Sequence, residues 1–124
     1  DVERNLAILA CPEEGYTGGF QAAALADEAL EGIFCANAQI ACGFLDGMRQ
    51  RGKQAPEDYQ LIGFDNTPPT AQYSYQLTTH IRMRAISRQA LARLQERTVD
   101  PLQPSRTTWV EVTLIHRRTS PFII

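Results

Sequence analysis

The 124-residue sequence has few of the side chains that bind metals or exchange electrons. It contains three cysteines, Cys11, Cys35 and Cys42, with no Cys-x-x-Cys pair, and two histidines, His80 and His116, far apart in the chain. These spacings match neither a structural zinc site nor a redox dithiol. We therefore expect no metal and no cofactor, and we interpret the cysteines as small buried apolar residues in a reducing compartment.

Long apolar runs are also missing from the sequence. No stretch approaches the roughly 18 apolar residues of a membrane-spanning helix. The chain does not begin with a charged segment followed by an apolar one, as an export leader would. We expect a protein without membrane contact, in the cytoplasm.

The common enzyme motifs are absent. There is no G-x-x-x-x-G-K-[ST] loop and no G-x-S-x-G elbow, and the segment 15–19 does not fit G-x-G-x-x-G. The acidic pairs Glu13-Glu14 and Glu57-Asp58 fall in predicted exposed turns, where we interpret them as solvated charge. The sequence therefore predicts a protein that is not an enzyme.

Basic residues are scarce in the first part of the chain. Residues 1–79 hold four Lys and Arg against eleven Asp and Glu, whereas residues 80–124 hold eight Arg against three acids, for a net charge of -2. A free-standing nucleic-acid-binding domain normally has a basic excess. The basic second part is either a face turned toward DNA or an acidic partner, or a solvated helix surface, and we favour the second interpretation.

Short apolar runs alternate with helix-like segments. Leu6–Cys11, Ile33–Ala36 and Gln60–Phe64 are unbroken runs typical of strands that are covered on both faces. Between them, Gly19–Ala29 and Gln39–Arg51 have helical composition or spacing. This alternation predicts an α/β fold with a parallel sheet flanked by helices.

The second half of the chain predicts one more helix and one more strand. Residues 84–97 carry an apolar stripe at helical spacing, and residues 107–115 are rich in Thr, Val and Trp, as strands are. We expect Trp109 to lie in the core. Gly43 and Gly47 lie on the predicted helix Gln39–Arg51. They indicate close packing of that helix, either inside the domain or between subunits.

Two polar residues follow neighbouring predicted strands. Asn37 comes after Ile33–Ala36 and Asp65 comes after Gln60–Phe64. Ligands of open α/β sheets bind beyond the carboxyl ends of strands, and an amide with a carboxylate suits vicinal hydroxyls or the edge of a nucleobase. The alternative is local, because Asn and Asp after strands commonly cap helices or close turns.

Four segments together resemble a known family: Cys35-Ala36-Asn37, Ala41-Cys42-Gly43, residues 56–66, and Leu77-Thr78-Thr79. In order and nearly in spacing they are similar to the effector-binding core of LacI/GalR-type bacterial transcription regulators. The resemblance covers about residues 19–119. It implies part of a type I periplasmic-binding-protein-like fold and a sugar or nucleobase-like effector.

The resemblance also implies how the chain is organised. Residues 1–76 and 107–124 would belong mostly to the C-terminal lobe of the effector domain, and residues 77–106 to the N-terminal lobe. The DNA-binding headpiece is expected to be absent, since the match is to the C-terminal half of the effector domain. Any contact with DNA would then pass through that headpiece in a full-length homodimer.

Further site residues are implied by the same resemblance. Tyr16 lies near the position where members of the family carry an aromatic residue that stacks on the effector. The alternative is that Tyr16 is an ordinary loop or core tyrosine. Tyr73, Cys42 and Leu45 fall on the dimer surface, the alternative for Tyr73 being an exposed loop tyrosine. Ala38 stands where the family usually has Asp, which weakens the predicted helix start there.

Two other functions remain open at this stage. A periplasmic sugar-binding receptor of a transporter would share the fold. An enzyme acting on sugars would need a nucleophile or a second catalytic carboxylate beside Asp65.

Overall fold

The computed structural model describes residues 4–65, 78–81 and 83–121. Its helices are α1 (Gly15–Ala23), α2 (Ala38–Gln50) and α3 (Met83–Val99), and its strands are β1 (Gly32–Phe34), β2 (Gln60–Phe64), β3 (Thr78–Ile81) and β4 (Thr113–Ile115). The strands form one sheet in the order β1-β2-β3-β4. The pairs β1–β2 and β2–β3 are parallel, and β3–β4 is antiparallel. The predicted α/β fold with a parallel sheet and flanking helices is confirmed.

The core lies where α2 packs against α1 and against β2. The apolar stripe predicted on α2 is buried, with Phe44, Leu45 and Met48 each 2% exposed. Phe44 meets the ring of Tyr59 edge to face at a centroid distance of 6.3 Å, and Leu61 of β2 is fully buried beneath them. Each such side chain contributes roughly 1.5–3 kcal/mol by leaving water. This cluster therefore fixes α2 against β2.

The helix α1 starts and ends earlier than the sequence predicted. We expected a helix over residues 19–29, and the structure has one over Gly15–Ala23. At its C-terminal end, Arg51 donates from Nη1 to the carbonyl oxygens of Ala23 and Ala26, at 2.6 and 3.0 Å. Charged donors at a helix C-terminus satisfy carbonyls that have no partner within the helix. A residue far along the chain thus helps to end α1.

The strand predicted at Leu6–Cys11 does not form. These residues are irregular in the structure, and the side chains of Leu6 and Ile8 are 66% and 89% exposed. An apolar run indicates that a strand can be buried, but a strand also needs a neighbour that pairs with its backbone. Within the described ranges the sheet begins at β1 and offers this segment no ladder.

The helix predicted at 84–97 is present as α3, but its apolar side chains are exposed. Ile86, Leu91 and Leu94 are 45%, 56% and 65% exposed, although we expected an inward stripe. The helix is tied instead to the following extended segment by a polar cluster, in which Glu96 accepts from Arg93 at 2.9 Å and from Arg106 at 2.8 Å. Such half-exposed ion pairs contribute little to stability.

The extended segment after α3 is also more exposed than predicted. Only Thr113–Ile115 pairs as a strand, and Trp109 is 92% exposed, so its assignment to the core was wrong. Strand propensity was correct for the end of this segment, but propensity cannot supply the surface that would cover a tryptophan. None of the helices in the described ranges combines the length and hydrophobicity that a bilayer span needs.

Candidate functional site

The carboxyl ends of β1 and β2 bring Asn37 and Asp65 to the same edge of the sheet. Phe34 pairs with Ile62 in the parallel register, so Asn37 and Asp65 each lie three positions beyond a paired residue. The amide of Cys35 extends the pairing by one bond, 2.8 Å to the carbonyl of Ile62. The two strands therefore end side by side, as the sequence indicated. The role of these two residues toward a ligand stays a prediction.

Asn37 also performs the local role that we weighed against ligand binding. Its Oδ1 accepts a hydrogen bond from the backbone N–H of Ile40 at 2.9 Å, which caps the N-terminus of α2. Among the described residues no acceptor takes the two N–H groups of its carboxamide. One half of the side chain stabilises the helix, and the other half is a donor at the end of the sheet.

Asp65 has an unusual backbone at the strand tip. Its φ is 84°, in the left-handed region that few residues other than glycine adopt. Asp tolerates this region better than most residues, at a cost of roughly 1–3 kcal/mol. No described residue donates to its carboxylate, which is half-buried. Such strain is concentrated at ligand-binding sites, so the geometry marks Asp65 as a candidate.

An open cavity lies beside Asn37. It has a volume of about 460 Å³, within the range of small-molecule sites. It is formed by the segment before α1 and by the N-terminal ends of α1 and α2. The lining residues are Cys11, Pro12, Glu13, Glu14, Gly15, Asn37, Gln39 and Ile40.

Three of the polar lining residues were not predicted. Glu13 and Glu14 were interpreted as solvated charge, and Gln39 was not considered. The structure places the two carboxylates directly before Gly15, where α1 begins. The position of the start of α1 could have revealed the two acidic residues. Because we predicted that start near residue 19, we placed the acidic pair in a turn away from the helix. A helix starting at Gly15 would have brought the pair to this cavity.

The structure does not bring Tyr16 to this cavity. Its hydroxyl donates to Oδ2 of Asp46 at 2.6 Å, and its ring is stacked near Phe20 at a centroid distance of 6.3 Å. It lines a second cavity of about 360 Å³, on the outer face of α1 and α2, together with Arg49 and Gln50. Stacking of Tyr16 on an effector thus stays a prediction without support from this arrangement.

The predicted dimer contacts need correction. Cys42 and Leu45 are 3% and 2% exposed and pack inside the chain's own core, so neither side chain is free to contact a second subunit. They were assigned from the helix as a whole, but they lie on its inward face. Tyr73, the third predicted contact, lies outside the described residues.

The thiols are unreactive where they are buried. Burial raises the pKa of Cys35 to about 12, with smaller contributions from Cys11 and Cys42, and it raises the pKa of Cys42 to about 11, with a smaller contribution from Asp46. All three cysteines are free, and Cys11 is the half-buried one at the cavity. Within the described ranges no three His, Cys, Asp or Glu side chains are grouped to hold a metal ion.

Comparison with known proteins identifies the fold. Residues 3–120 match the family model of the periplasmic binding protein-like domain. The solved LacI family transcriptional regulator from Enterococcus faecalis V583, with bound ribose, is 34% identical with a TM-score of 0.74, over 86% of this chain and 41% of that one. The regulator from Arthrobacter sp. FB24, in complex with lactose, is 28% identical with a TM-score of 0.75, over 86% and 42%.

A curated relative agrees with these structures. The HTH-type transcriptional repressor PurR of Vibrio campbellii is 31% identical over 88 residues, which is 70% of this chain and 26% of the repressor. The chain therefore spans about a quarter of the length of that relative. The fold and the family match define a periplasmic-binding-protein-like domain.

The chain belongs to the periplasmic binding protein-like domain family. Within it, the relatives assign the chain to the effector-binding domain of LacI/GalR-type regulators, so the resemblance predicted from the sequence is confirmed. The relatives named above are regulators rather than enzymes.

Proposed function

We propose that this chain is the effector-sensing part of a LacI/GalR-type transcriptional regulator and that it binds a small polyhydroxyl metabolite, a sugar in the first instance. One observation carries the proposal: Asn37 and Asp65 end adjacent parallel strands, beside a cavity of suitable size. A carboxylate accepts from two hydroxyls and a carboxamide donates, so the pair can hold vicinal hydroxyls. Ribose and lactose in the two related structures support this class of ligand.

The sensing function implies a coupling to operator DNA. In a full-length regulator the effector must bind two states of the protein with different affinity, because a ligand that binds both states equally shifts nothing. We assign DNA contact to a helix-turn-helix headpiece outside the described fold, in keeping with the name of the PurR relative. A homodimer in the cytoplasm is the arrangement in which two headpieces reach one operator.

We further propose that residues 77–106 belong to a second lobe. The exposed apolar residues of α3 support this division, because a helix with Leu91 and Leu94 more than half exposed normally covers another layer. The helix α2, by contrast, is packed against both α1 and β2. The rest of the chain, residues 1–76 and 107–124, would form most of the lobe that carries the site.

The two rival functions fit less well. A periplasmic receptor shares the fold, but the named relatives are transcription regulators. An enzyme would need a second catalytic group near Asp65. The two carboxylates that line the cavity, Glu13 and Glu14, lie at the start of α1. Hydrolysis of a sugar panel by the purified protein tests the enzyme directly, and we expect none.

Calorimetry on Asp65→Asn tests the proposal. Asparagine tolerates the left-handed backbone, so the fold should persist while the accepting carboxylate is lost. We expect sugar affinity to fall at least about tenfold, which corresponds to the loss of one charged hydrogen bond of roughly 1.5–3 kcal/mol. Glu57→Gln, which neutralises an exposed turn carboxylate, is the control and should bind as the parent does. Equal affinity in Asp65→Asn would remove this residue from the site.

A further inference from the structure

The cavity at the strand ends carries negative charge. Its lining includes the acidic residues Glu13 and Glu14, and none of the lining residues is Lys or Arg. Asp65 adds a third carboxylate at the same edge of the sheet. The described side-chain partner of Glu13 is the amide of Gln21, at 3.1 Å. A neutral donor leaves the charge of the carboxylate in place.

A group of positive charges lies at the far end of α2. Arg49, Arg51 and Lys53 follow one another at the C-terminal end of this helix, whereas the cavity is at its N-terminal end. Thirteen residues at 1.5 Å each separate the two ends by about 20 Å. The Debye length in physiological salt is about 8 Å, so these cations do not neutralise the cavity.

The helix ends do not reverse this sign. Both α1 and α2 begin at the cavity, and each helix N-terminus carries about half of a positive elementary charge. Together they offset about one of the two carboxylates in the lining. In addition, the side chain of Asn37 already occupies an N–H of the first turn of α2. The balance at the cavity stays negative, and an anion gains little from the helix ends.

We propose that the cavity selects a polyhydroxyl ligand without negative charge, that an amine group on the ligand strengthens binding, and that phosphorylated or carboxylated sugars are rejected. This inference rests on the proposed effector site and specifies its ligand class. A phosphate near Glu13 and Glu14 meets like charges, which repel it. An ammonium group in the same place is attracted.

Calorimetry with matched sugars tests the inference on the purified protein. The probes are D-glucose, D-glucosamine, D-glucose 6-phosphate, D-ribose and D-ribose 5-phosphate. We expect each phosphate to bind at least about tenfold more weakly than its parent sugar, and glucosamine to bind more tightly than glucose. A phosphate that binds as well as its parent overturns the charge selection and leaves the effector site standing. Binding by no probe overturns both.

A double variant, Glu13→Gln with Glu14→Gln, shows whether these two carboxylates set the preference. We expect the difference in affinity between ribose and ribose 5-phosphate to narrow several-fold. The control Glu57→Gln makes the same kind of charge change in an exposed turn and should leave the difference intact. In the parent protein, raising the salt concentration should narrow the difference between the affinities for ribose and ribose 5-phosphate. If the double variant keeps the full difference in affinity between ribose and ribose 5-phosphate, Glu13 and Glu14 do not set the preference.

Discussion

Gly43 of α2 packs directly against the backbone carbonyl of Tyr16 on α1, and no side chain fits between them. A Cβ at Gly43 would collide with that carbonyl oxygen and lie 2.8 Å from the amide nitrogen of Phe20. One turn later, a Cβ at Gly47 would lie 2.6 Å from that of Ala23. The glycine pair therefore serves close packing inside the domain, one of the two roles that the sequence left open.

This contact predicts an unusual sign for Gly43→Ala. In an exposed helix, alanine in place of glycine stabilises by about 1 kcal/mol. Here the new methyl meets backbone atoms that cannot rotate away, so we expect the free energy of unfolding to fall by roughly 1–3 kcal/mol or more, as in overpacked cores. The free energy of unfolding is measured by urea denaturation, and the m-value should stay unchanged.

Gly32→Ala is the matched control for that substitution. A Cβ at Gly32 meets no atom within 4 Å, and its φ is not in the left-handed region. We expect a change within about 0.5 kcal/mol. A Gly43→Ala protein as stable as the parent would mean that α1 and α2 do not approach each other as closely as described.

The double role of Asn37 leads to a second prediction, in which cap and ligand donor are separated. Asn37→Asp keeps an oxygen for the N–H of Ile40, and aspartate is as good an N-cap as asparagine. Asn37→Ala removes the cap and should cost about 1 kcal/mol of stability. The aspartate variant should therefore melt like the parent yet bind sugar more weakly, because it lacks the N–H donors.

Melting curves and calorimetry on the two variants distinguish these roles. If Asn37 acts only as a cap, Asn37→Asp will bind sugar as tightly as the parent does. If it contacts the ligand, affinity falls in both variants while stability falls only in Asn37→Ala. The second pattern is the one expected.

Some sequence patterns were sufficient to predict the structure and others were not. The run at β2, the stripe on α2 and the two polar residues after the strands are local patterns, and each appeared as predicted because its partners lie within the described chain. The run at β1 formed a strand, but Phe34 is 67% exposed, so the expectation that β1 is covered on both faces was wrong. Leu6–Cys11 and Trp109 failed for one reason: they carry the composition of buried segments, but burial depends on a covering layer that local composition does not reveal. The cavity acids were missed through an error of four residues in the start of α1.

The buried thiols give the last prediction, which concerns stability at alkaline pH. Burial raises the pKa of Cys35 to about 12 from its ordinary value of 9.0. The unfolded chain therefore loses this proton near pH 9, while the folded chain keeps it. The buried neutral thiol therefore contributes to the free energy of unfolding. This contribution is fully present below pH 9 and is lost as the pH rises from about 9 toward about 12, by at most about 1.4 kcal/mol per pH unit for each such thiol.

Cys35→Ala isolates this effect from other groups that titrate in the same range. Alanine removes the thiol and leaves a small cavity, so the variant should be less stable at pH 7 but should lose less stability between pH 8 and pH 10.5. The measurement is the free energy of unfolding in urea, under reducing conditions, at several pH values. Gly32→Ala, which changes no titratable group and meets no atom within 4 Å, is the control and should lose as much stability as the parent over this range. Parallel curves for the parent and Cys35→Ala would show that the Cys35 thiol ionises in the folded protein as easily as in the unfolded one, and so that it is not enclosed by α2 and the sheet.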